Sequence, residues 1–368
     1  MEFWYCPLES LVDNKIGVMN KIVYEDITRI VSGLGSLVNS FEGKRVLITG
    51  YKGFLGSNFT AFFNVINKEV LKKKAEIICL DSNIVDLEDQ TADFSQDFSL
   101  HIGNNIDVIP DKSFDYILHC AGIASPMYYR KYPLETIYVN SIGYWEMLNE
   151  IDQNKLQSFL YFSTSEVYGD PDNAHIPTHE DYRGNVSCTG PRACYDESKR
   201  LGETISISFV QQKHLPIKIV RPFNVYGPFM RLDDKRVIPD FIKDALKIGS
   251  MTVLSNGSPS RSFCYISDAM EGFLRILSTG KSGKPYNIGN DLQEVSILDL
   301  ANLISDTIGG VKIKSGISED INYLTDNPQR RCPIIIRAKE ELGYNPKINL
   351  NEGLQRVISW YKETYFKR

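Results

Sequence analysis

Tyr195 and Lys199 stand four residues apart in Cys194-Tyr195-Asp196-Glu197-Ser198-Lys199-Arg200. On a helix that spacing puts both side chains on one face, one turn apart. The next run carries Leu201, Ile205, Ile207 and Phe209 and no proline, which is a helix pattern. A free phenol has a pKa of about 10 and is a poor base at neutral pH. An ammonium held close favours the phenolate, and the pair can then take a proton from a hydroxyl. The competing reading is a solvated helix face. A second cluster comes after the apolar run Phe159-Leu160-Tyr161-Phe162. It delivers Ser163, Thr164, Ser165 and Glu166 at the C-terminal end of a strand, the edge where open α/β sheets bind ligands. Ser163 and Thr164 can orient a hydroxyl, and Glu166 can take or give a proton; a hydroxyl-rich turn with a cap is the alternative for each.

These groups need a scaffold, and the chain ahead of them supplies one. Lys44 to Thr49 reads as a buried parallel strand. It runs into Gly50-Tyr51-Lys52-Gly53-Phe54-Leu55-Gly56 and then a helical segment from Ser57 to Lys73. Strand, glycine turn and helix start form a pyrophosphate cradle, because glycine lets the backbone approach and the helix end offers free N–H groups. The spacing is G-x-x-G-x-x-G rather than G-x-G-x-x-G. The next strand, Glu76 to Leu80, ends at Asp81. A carboxylate there suits the ribose hydroxyls of NAD and repels a 2′-phosphate; a helix cap is the alternative. Phe114 to Gly122 reads as a further strand whose small ending, Ala121-Gly122, lets a cofactor lie against the backbone. Gly103-Asn104-Asn105-Ile106 closes the strand before it, and Pro133 to Ile151 is a long helix candidate with Ile137, Ile142, Trp145 and Leu148 as its apolar members.

The 368 residues are long for one core and suggest two lobes. Hydrophobic residues at 42% and charged residues at 24% describe a soluble globular chain. A net charge of −5 leaves no footprint for nucleic acid. The first residues lack a basic start followed by an apolar stretch, so no secretory leader is expected, and no window is long and apolar enough to span a membrane. Seven cysteines without C-x-x-C spacing and five scattered histidines predict a reducing cytoplasm and no metal site. Residues 1–42 read as an N-terminal extension, helical from Tyr24 to Phe41, with a packing or oligomer role.

Together, G-x-x-G-x-x-G, the acidic residue after the second strand, S-T-S-E-V-Y-G and Y-x-x-x-K resemble the extended short-chain dehydrogenase/reductase superfamily of NAD-dependent epimerases and dehydratases, over residues 43–365. Within that superfamily, Ser163 to Pro171 and Gly190 to Arg200 are most similar to the UDP-glucuronate decarboxylases, or UDP-xylose synthases. The chain departs from their pattern at Cys120-Ala121-Gly122-Ile123-Ala124-Ser125-Pro126, at Asn104-Asn105 and at Arg183.

The resemblance implies an α/β fold: a doubly wound parallel Rossmann sheet with a smaller mixed α/β lobe. The NAD-binding domain would span 43–225 with a return segment at 262–290, and the nucleotide-sugar lobe 226–261 and 291–368. It implies Gly50, Gly53, Phe54, Leu55, Gly56, Asp81, Ala121, Gly122, Ser163, Tyr195, Lys199 and Pro222 around NAD. Tyr195, Lys199, Thr164, Ser165, Glu166 and Arg331 would carry the chemistry, and Asn224, Arg236, Val237, Arg261 and Arg331 would hold the nucleotide sugar. For Arg236 and Arg261, ordinary ion pairing is the alternative. The expected activity is decarboxylation of UDP-glucuronate through a 4-keto intermediate, giving UDP-xylose or the 4-keto pentose. The alternatives are a 4,6-dehydratase, a C4-epimerase, or a non-catalytic NAD sensor or scaffold. The dehydratases carry Asp-Glu where this chain has Ser165-Glu166. A homodimer through the helices of Pro133–Ile151 and Tyr195–Gln212 is also implied.

Overall fold

The computed structural model describes residues 19–82, 99–102, 106–318, 325 and 328–366. Residues 1–18 of the extension, the strand ending expected at Gly103-Asn104-Asn105, and Asp326-Asn327 lie outside the described residues. Runs that are apolar at successive positions become strands covered on both faces. Numbered in chain order, these are β1 (Arg45–Thr49), β2 (Glu76–Asp81), β3 (Ser99–Ile102), β4 (Tyr116–His119), β5 (Ser158–Phe162), β6 (Ile217–Pro222) and β11 (Pro285–Ile288). They form a parallel seven-stranded sheet in the order β11-β6-β5-β4-β1-β2-β3. Val46 and Ile48 of β1 face one hydrophobic core and Leu47 the other.

On the first face lie α1 (Lys21–Leu34), α2 (Phe54–Glu69) and α8 (Ile266–Thr279). On the second lie α5 (Gly143–Glu150) and α6 (Ala193–Lys213), preceded by the short α3 (Pro126–Lys131) and α4 (Pro133–Ile137). The expected long helix from Pro133 to Ile151 is broken by a π-turn at Tyr138–Ile142. The wider turn carries Asn140 and Ser141 into the interior and shifts the phase of α5, so Tyr144, Met147 and Leu148 face the core. Ile142 and Trp145, expected inside, are left about half exposed.

A second set of elements comprises α7 (Val237–Ile248), α9 (Ile297–Ile308), α10 (Ile336–Leu342), which packs on α8 and β11, and α11 (Leu350–Tyr365). Its strands are short. β8 (Ser250–Val253) pairs with β13 (Lys312–Ser315), and β9 (Ser260–Ser262) lies between β12 (Glu294–Ser296) and β14 (Arg330–Arg331). β7 (Val225–Tyr226) and β10 (Cys264–Tyr265) make a two-stranded parallel pair, and the chain then re-enters the large sheet through α8 and β11. The expected Tyr24–Phe41 helix is instead α1, stopped at Gly35 with φ +56, followed by a tighter 3₁₀ turn to Phe41. Val23, Asp26, Ile27, Ile30 and Leu34 form its buried stripe. Among the described residues no helix is long and apolar enough to cross a membrane, and no group of three or more His, Cys, Asp or Glu could hold a metal ion.

Candidate active site

In a parallel sheet whose strand order reverses, the C-terminal ends of the strands diverge at the reversal and leave a crevice. Here the reversal falls at β1, between β2 and β4, and the crevice opens into a cleft of about 1040 Å³ lined by the strand ends of the large sheet and by residues of α7, β9 and β14. Every site residue expected from sequence lines it, from Gly50 on β1's turn to Arg331 on β14.

The cofactor end is built from backbone. Gly50 has φ +67, and a Cβ there would meet the Ala121 backbone at 2.8 Å. A Cβ on Gly56 would lie 2.2 Å from the Gly50 carbonyl oxygen, so only glycine lets α2 start this close to the turn. No side chain caps α2, which leaves its first N–H groups for an anion. Asp81, at the tip of β2, accepts the Lys52 N–H at 2.8 Å. Ala121 donates its N–H to Thr49 Oγ1 at 3.2 Å, and Thr49 bonds the buried His119 ring at 2.9 Å. Burial pushes that imidazole down to about 3, so it is neutral. Gly122 faces the cleft, and a Cβ on it would come within 3.2 Å of Lys199 Nζ. A bare helix start, a carboxylate beyond the second strand and a side-chain-free wall fit the pyrophosphate, ribose and nicotinamide of NAD.

The chemical end is built from side chains. Burial pushes the Tyr195 phenol up to about 12; a hydrogen bond from Thr164 and the charge of Arg236 act in the opposite direction. The Tyr129 ring stacks on Tyr195 at 5.1 Å with a 9° interplanar angle. Lys199 was expected to lower the phenol. Its ammonium instead donates to the Phe162 carbonyl at 2.8 Å, and burial lowers it to about 8.

Thr164 accepts the Glu166 N–H at 3.2 Å and so fixes the turn that carries Ser165 and Glu166. Glu166 is gripped by two guanidiniums: Arg331 Nη2 donates to it at 2.6 Å, and Arg192 bonds the same carboxylate oxygen. Burial pushes its carboxyl up, but Arg192, Arg331 and Arg261 outweigh this and hold it below the ordinary range. Glu166 is therefore an ionised ion-pair partner and not a resting proton donor. The carboxyl that burial and the Glu166 charge push up is Asp196, whose Oδ2 lies 3.6 Å from Arg192 Nε.

Other expected residues are tied to their surroundings. Ser163 donates to Glu203, itself paired with Arg221 at 2.6 Å. Arg261 donates to the carbonyls of Ser260, Gln329 and Pro328. Arg236, which begins α7 ahead of Val237, pairs with Asp234 at 2.6 Å. Asn224 sits at φ +41 between β6 and β7, beyond Pro222, and donates to Ser262 O at 2.9 Å. Sequence reading gave no role to Arg192, Asp196 or Tyr129. The i,i+4 spacing of Arg192 and Asp196 was a weak signal for the first two, and Tyr129 had none.

The sequence model of the NAD dependent epimerase/dehydratase family matches residues 46–289. UDP-glucuronic acid decarboxylase 6 of Arabidopsis thaliana is 38% identical over 313 residues, covering 84% of this chain and 86% of the relative. UDP-glucuronic acid decarboxylase 1 of Xenopus tropicalis is 34% identical, covering 96% of this chain and 84% of the relative. Among solved structures, an epimerase from Methanothermobacter thermautotrophicus superposes with a TM-score of 0.77 at 23% identity, covering 91% of this chain and 97% of that one. A dTDP-glucose 4,6-dehydratase from Streptomyces venezuelae gives 0.74 at 22% identity, covering 87% and 97%. These two show the fold. With the match running from the first strand to the end of β11, this chain belongs to the NAD dependent epimerase/dehydratase family.

Proposed function

We propose that the chain is an NAD-dependent UDP-glucuronate decarboxylase working through a ketone at C4 of the sugar. Its curated relatives carry the decarboxylase name. The observation in the chain itself that supports the reading is the pair of guanidiniums around Glu166, two residues after the Thr164 that bonds the Tyr195 phenol. A proton acceptor and a carboxylate-binding pocket stand side by side.

Direct loss of carbon dioxide from a uronate would leave an electron pair on C5 with nothing to hold it. With a ketone at C4, that pair moves into the carbonyl as an enolate. When bound, NAD accepts the C4 hydride and can return it. Tyr195, as phenolate, takes the O4 proton, and Thr164 orients the hydroxyl. Lys199, with its pKa near 8, is still an ammonium at neutral pH; it is turned toward the Phe162 carbonyl and would hold the ribose. The C5–C6 bond then breaks, carbon dioxide leaves, and C5 takes a proton drawn from solvent water, the one proton consumed for each carbon dioxide released. Arg331 grips the carboxylate end, with Ser165 and Glu166 beside it. Hydride return to C4 and proton return from Tyr195 give UDP-xylose; without that return the product is the 4-keto pentose. A 4,6-dehydratase needs an acid where this chain has Ser165, and a serine hydroxyl is too weak to protonate a leaving hydroxyl.

The division of labour follows the fold. Residues 43–225 with 262–290 hold NAD, and 226–261 with 291–368 close on the nucleotide sugar through Asn224, Arg236, Val237 and Arg261. Cys120, Cys188, Cys194, Cys264 and Cys332 form no disulfide, which supports a cytoplasmic setting. A homodimer through α4, α5 and α6 is supported by the apolar residues those helices expose: Leu134, Ile137, Ile142, Trp145 and Leu201.

Incubation with UDP-glucuronate should release carbon dioxide and yield a pentose nucleotide by mass spectrometry. Tyr195→Phe should still bind NAD and lose turnover by roughly a thousandfold. No carbon dioxide from the wild-type protein, or an unchanged rate in that variant, would end this reading.

A further inference from the structure

Two arginines from opposite lobes meet on one carboxylate. Arg331 arrives from β14 of the smaller lobe, beside Arg261 in strand register. Arg192 arrives from the large domain, at the residue that precedes α6 and three positions before Tyr195. Both donate to Glu166 Oε2. Arg331 was expected at the site from the family pattern, whereas Arg192 was not; Arg331 spans both oxygens of Glu166, and Arg192 reaches Oε2 alone.

The charges do not balance within this group. Three guanidiniums, those of Arg192, Arg331 and its strand neighbour Arg261, act on the Glu166 carboxyl, and among the described residues Asp196 beside Arg192 is the one further carboxylate paired with them. A second carboxylate entering the cleft would meet the surplus positive charge. Arg192 also keeps a foothold if Glu166 lets go, because Asp196 Oδ2 is 3.6 Å from its Nε. Tyr129 gives it a ring to lie over at 6.0 Å, and that ring stacks on Tyr195. A hexose with its 4-hydroxyl between Tyr195 and Thr164 carries its C6 group on the adjoining ring carbon, within reach of groups held two residues after Thr164. The carboxylate of a uronic acid is the same chemical group as the Glu166 side chain, and a guanidinium fork binds both in the same two-pronged way.

We propose that Arg192 is a second carboxylate-binding residue, which with Arg331 selects a uronic-acid nucleotide over the corresponding neutral hexose, Glu166 holding the pair in place until the substrate carboxylate takes its position. This deepens the decarboxylase reading and rests on it. Ser165 removes an acid needed for dehydration; Arg192 adds the grip that a neutral sugar cannot use.

The test is calorimetric and uses the full chain loaded with NAD, in a Tyr195→Phe background that prevents turnover, with UDP-glucuronate, UDP-glucose and UDP as ligands. The parent should bind UDP-glucuronate about tenfold or more tighter than UDP-glucose. Arg192→Gln should erase most of that preference and leave UDP and UDP-glucose within about twofold of the parent. Arg192→Lys keeps the charge without the fork and should fall between; it decides the matter by the same comparison if Arg192→Gln does not fold. Equal weakening toward all three ligands would make Arg192 a structural residue, and an undiminished uronate preference would leave the task to Arg331 alone; either overturns the proposal. Carbon dioxide release by the wild-type protein is scored separately. Release with an undiminished preference sinks only the role of Arg192. No release, with the preference present and lost in Arg192→Gln, sinks only the reaction.

Discussion

The phenol of Tyr195 is under two opposed influences. Burial among Tyr129, Ile123 and the wall of the cleft disfavours the phenolate, while Thr164 hydrogen-bonds the charged form and Arg236 attracts it. A base must lose its proton before it can act, so the rate should climb as pH rises toward the Tyr195 pKa. Thr164→Val removes a group that lowers that pKa. The acid limb of kcat/KM should therefore move to higher pH, with a loss at neutral pH of roughly tenfold or more. Thr164→Ser keeps the hydroxyl and should keep the limb where it was. An unmoved limb in Thr164→Val would show that Thr164 only caps the turn carrying Glu166. Glu166 is set by its surroundings in the same way. A carboxylate at the end of a strand reads as acid or base, but two arginines reaching it from distant parts of the chain hold it ionised.

At the scale of elements, the turn between β1 and α2 is the tightest constraint. The helix must begin within contact of its own entry turn for its N–H groups to face the cleft. A methyl on Gly56 would overlap the Gly50 carbonyl at 2.2 Å and Tyr51 Cα at 2.5 Å, both backbone atoms that cannot step aside. Gly56→Ala should cost about 3 kcal/mol and weaken NAD binding together with it. Urea unfolding and NAD titration check both, and wild-type values would mean that the turn relaxes freely. The π-turn before α5 has the opposite character: it inserts one extra residue to bring Asn140 against Ser198 on α6, with Asn140 Nδ2 donating at 3.0 Å. The helix face that carries Tyr195 and Lys199 is thereby tied to its neighbour.

At the scale of the molecule, α1 straps α2 and α8 to α11. Tyr24 bonds Glu69 on α2 at 2.9 Å, and Arg275 of α8 donates to the Gly33 carbonyl at 2.6 Å; Asp26 and Arg29 pair with Arg356 and Glu352 on α11. Buried Asp26 also accepts the Tyr265 hydroxyl at 2.7 Å, so each of its oxygens has a partner. On the far side of the sheet the helices α4 to α6 leave apolar side chains in solvent, Trp145 at 50% and Leu134 at 75% exposed. If a second copy covers them, Trp145→Glu should give a monomer by light scattering with the fold intact. An unchanged mass, whether of a monomer in both or a dimer in both, would place any interface elsewhere.

What the sequence by itself determined was local. Apolar runs of strand length marked β1, β2, β4 and β5, the glycine spacing marked the cradle, and the Tyr195–Lys199 interval needed only one helix turn to have meaning. The site residues line a single cleft. Those read from strand ends and helix starts meet because a parallel sheet gathers those ends on one edge; Pro222, Asn224, Arg236, Val237, Arg261 and Arg331 came from the family resemblance alone. What only the tertiary structure decided was which charges meet. Arg331 and Glu166 lie 165 positions apart in the chain, and Arg192 and Asp196 take their meaning from that encounter. Burial then reassigned the protons, lifting Tyr195 and Asp196 and lowering Lys199, since desolvation depends on what packs around a group and not on which residues flank it.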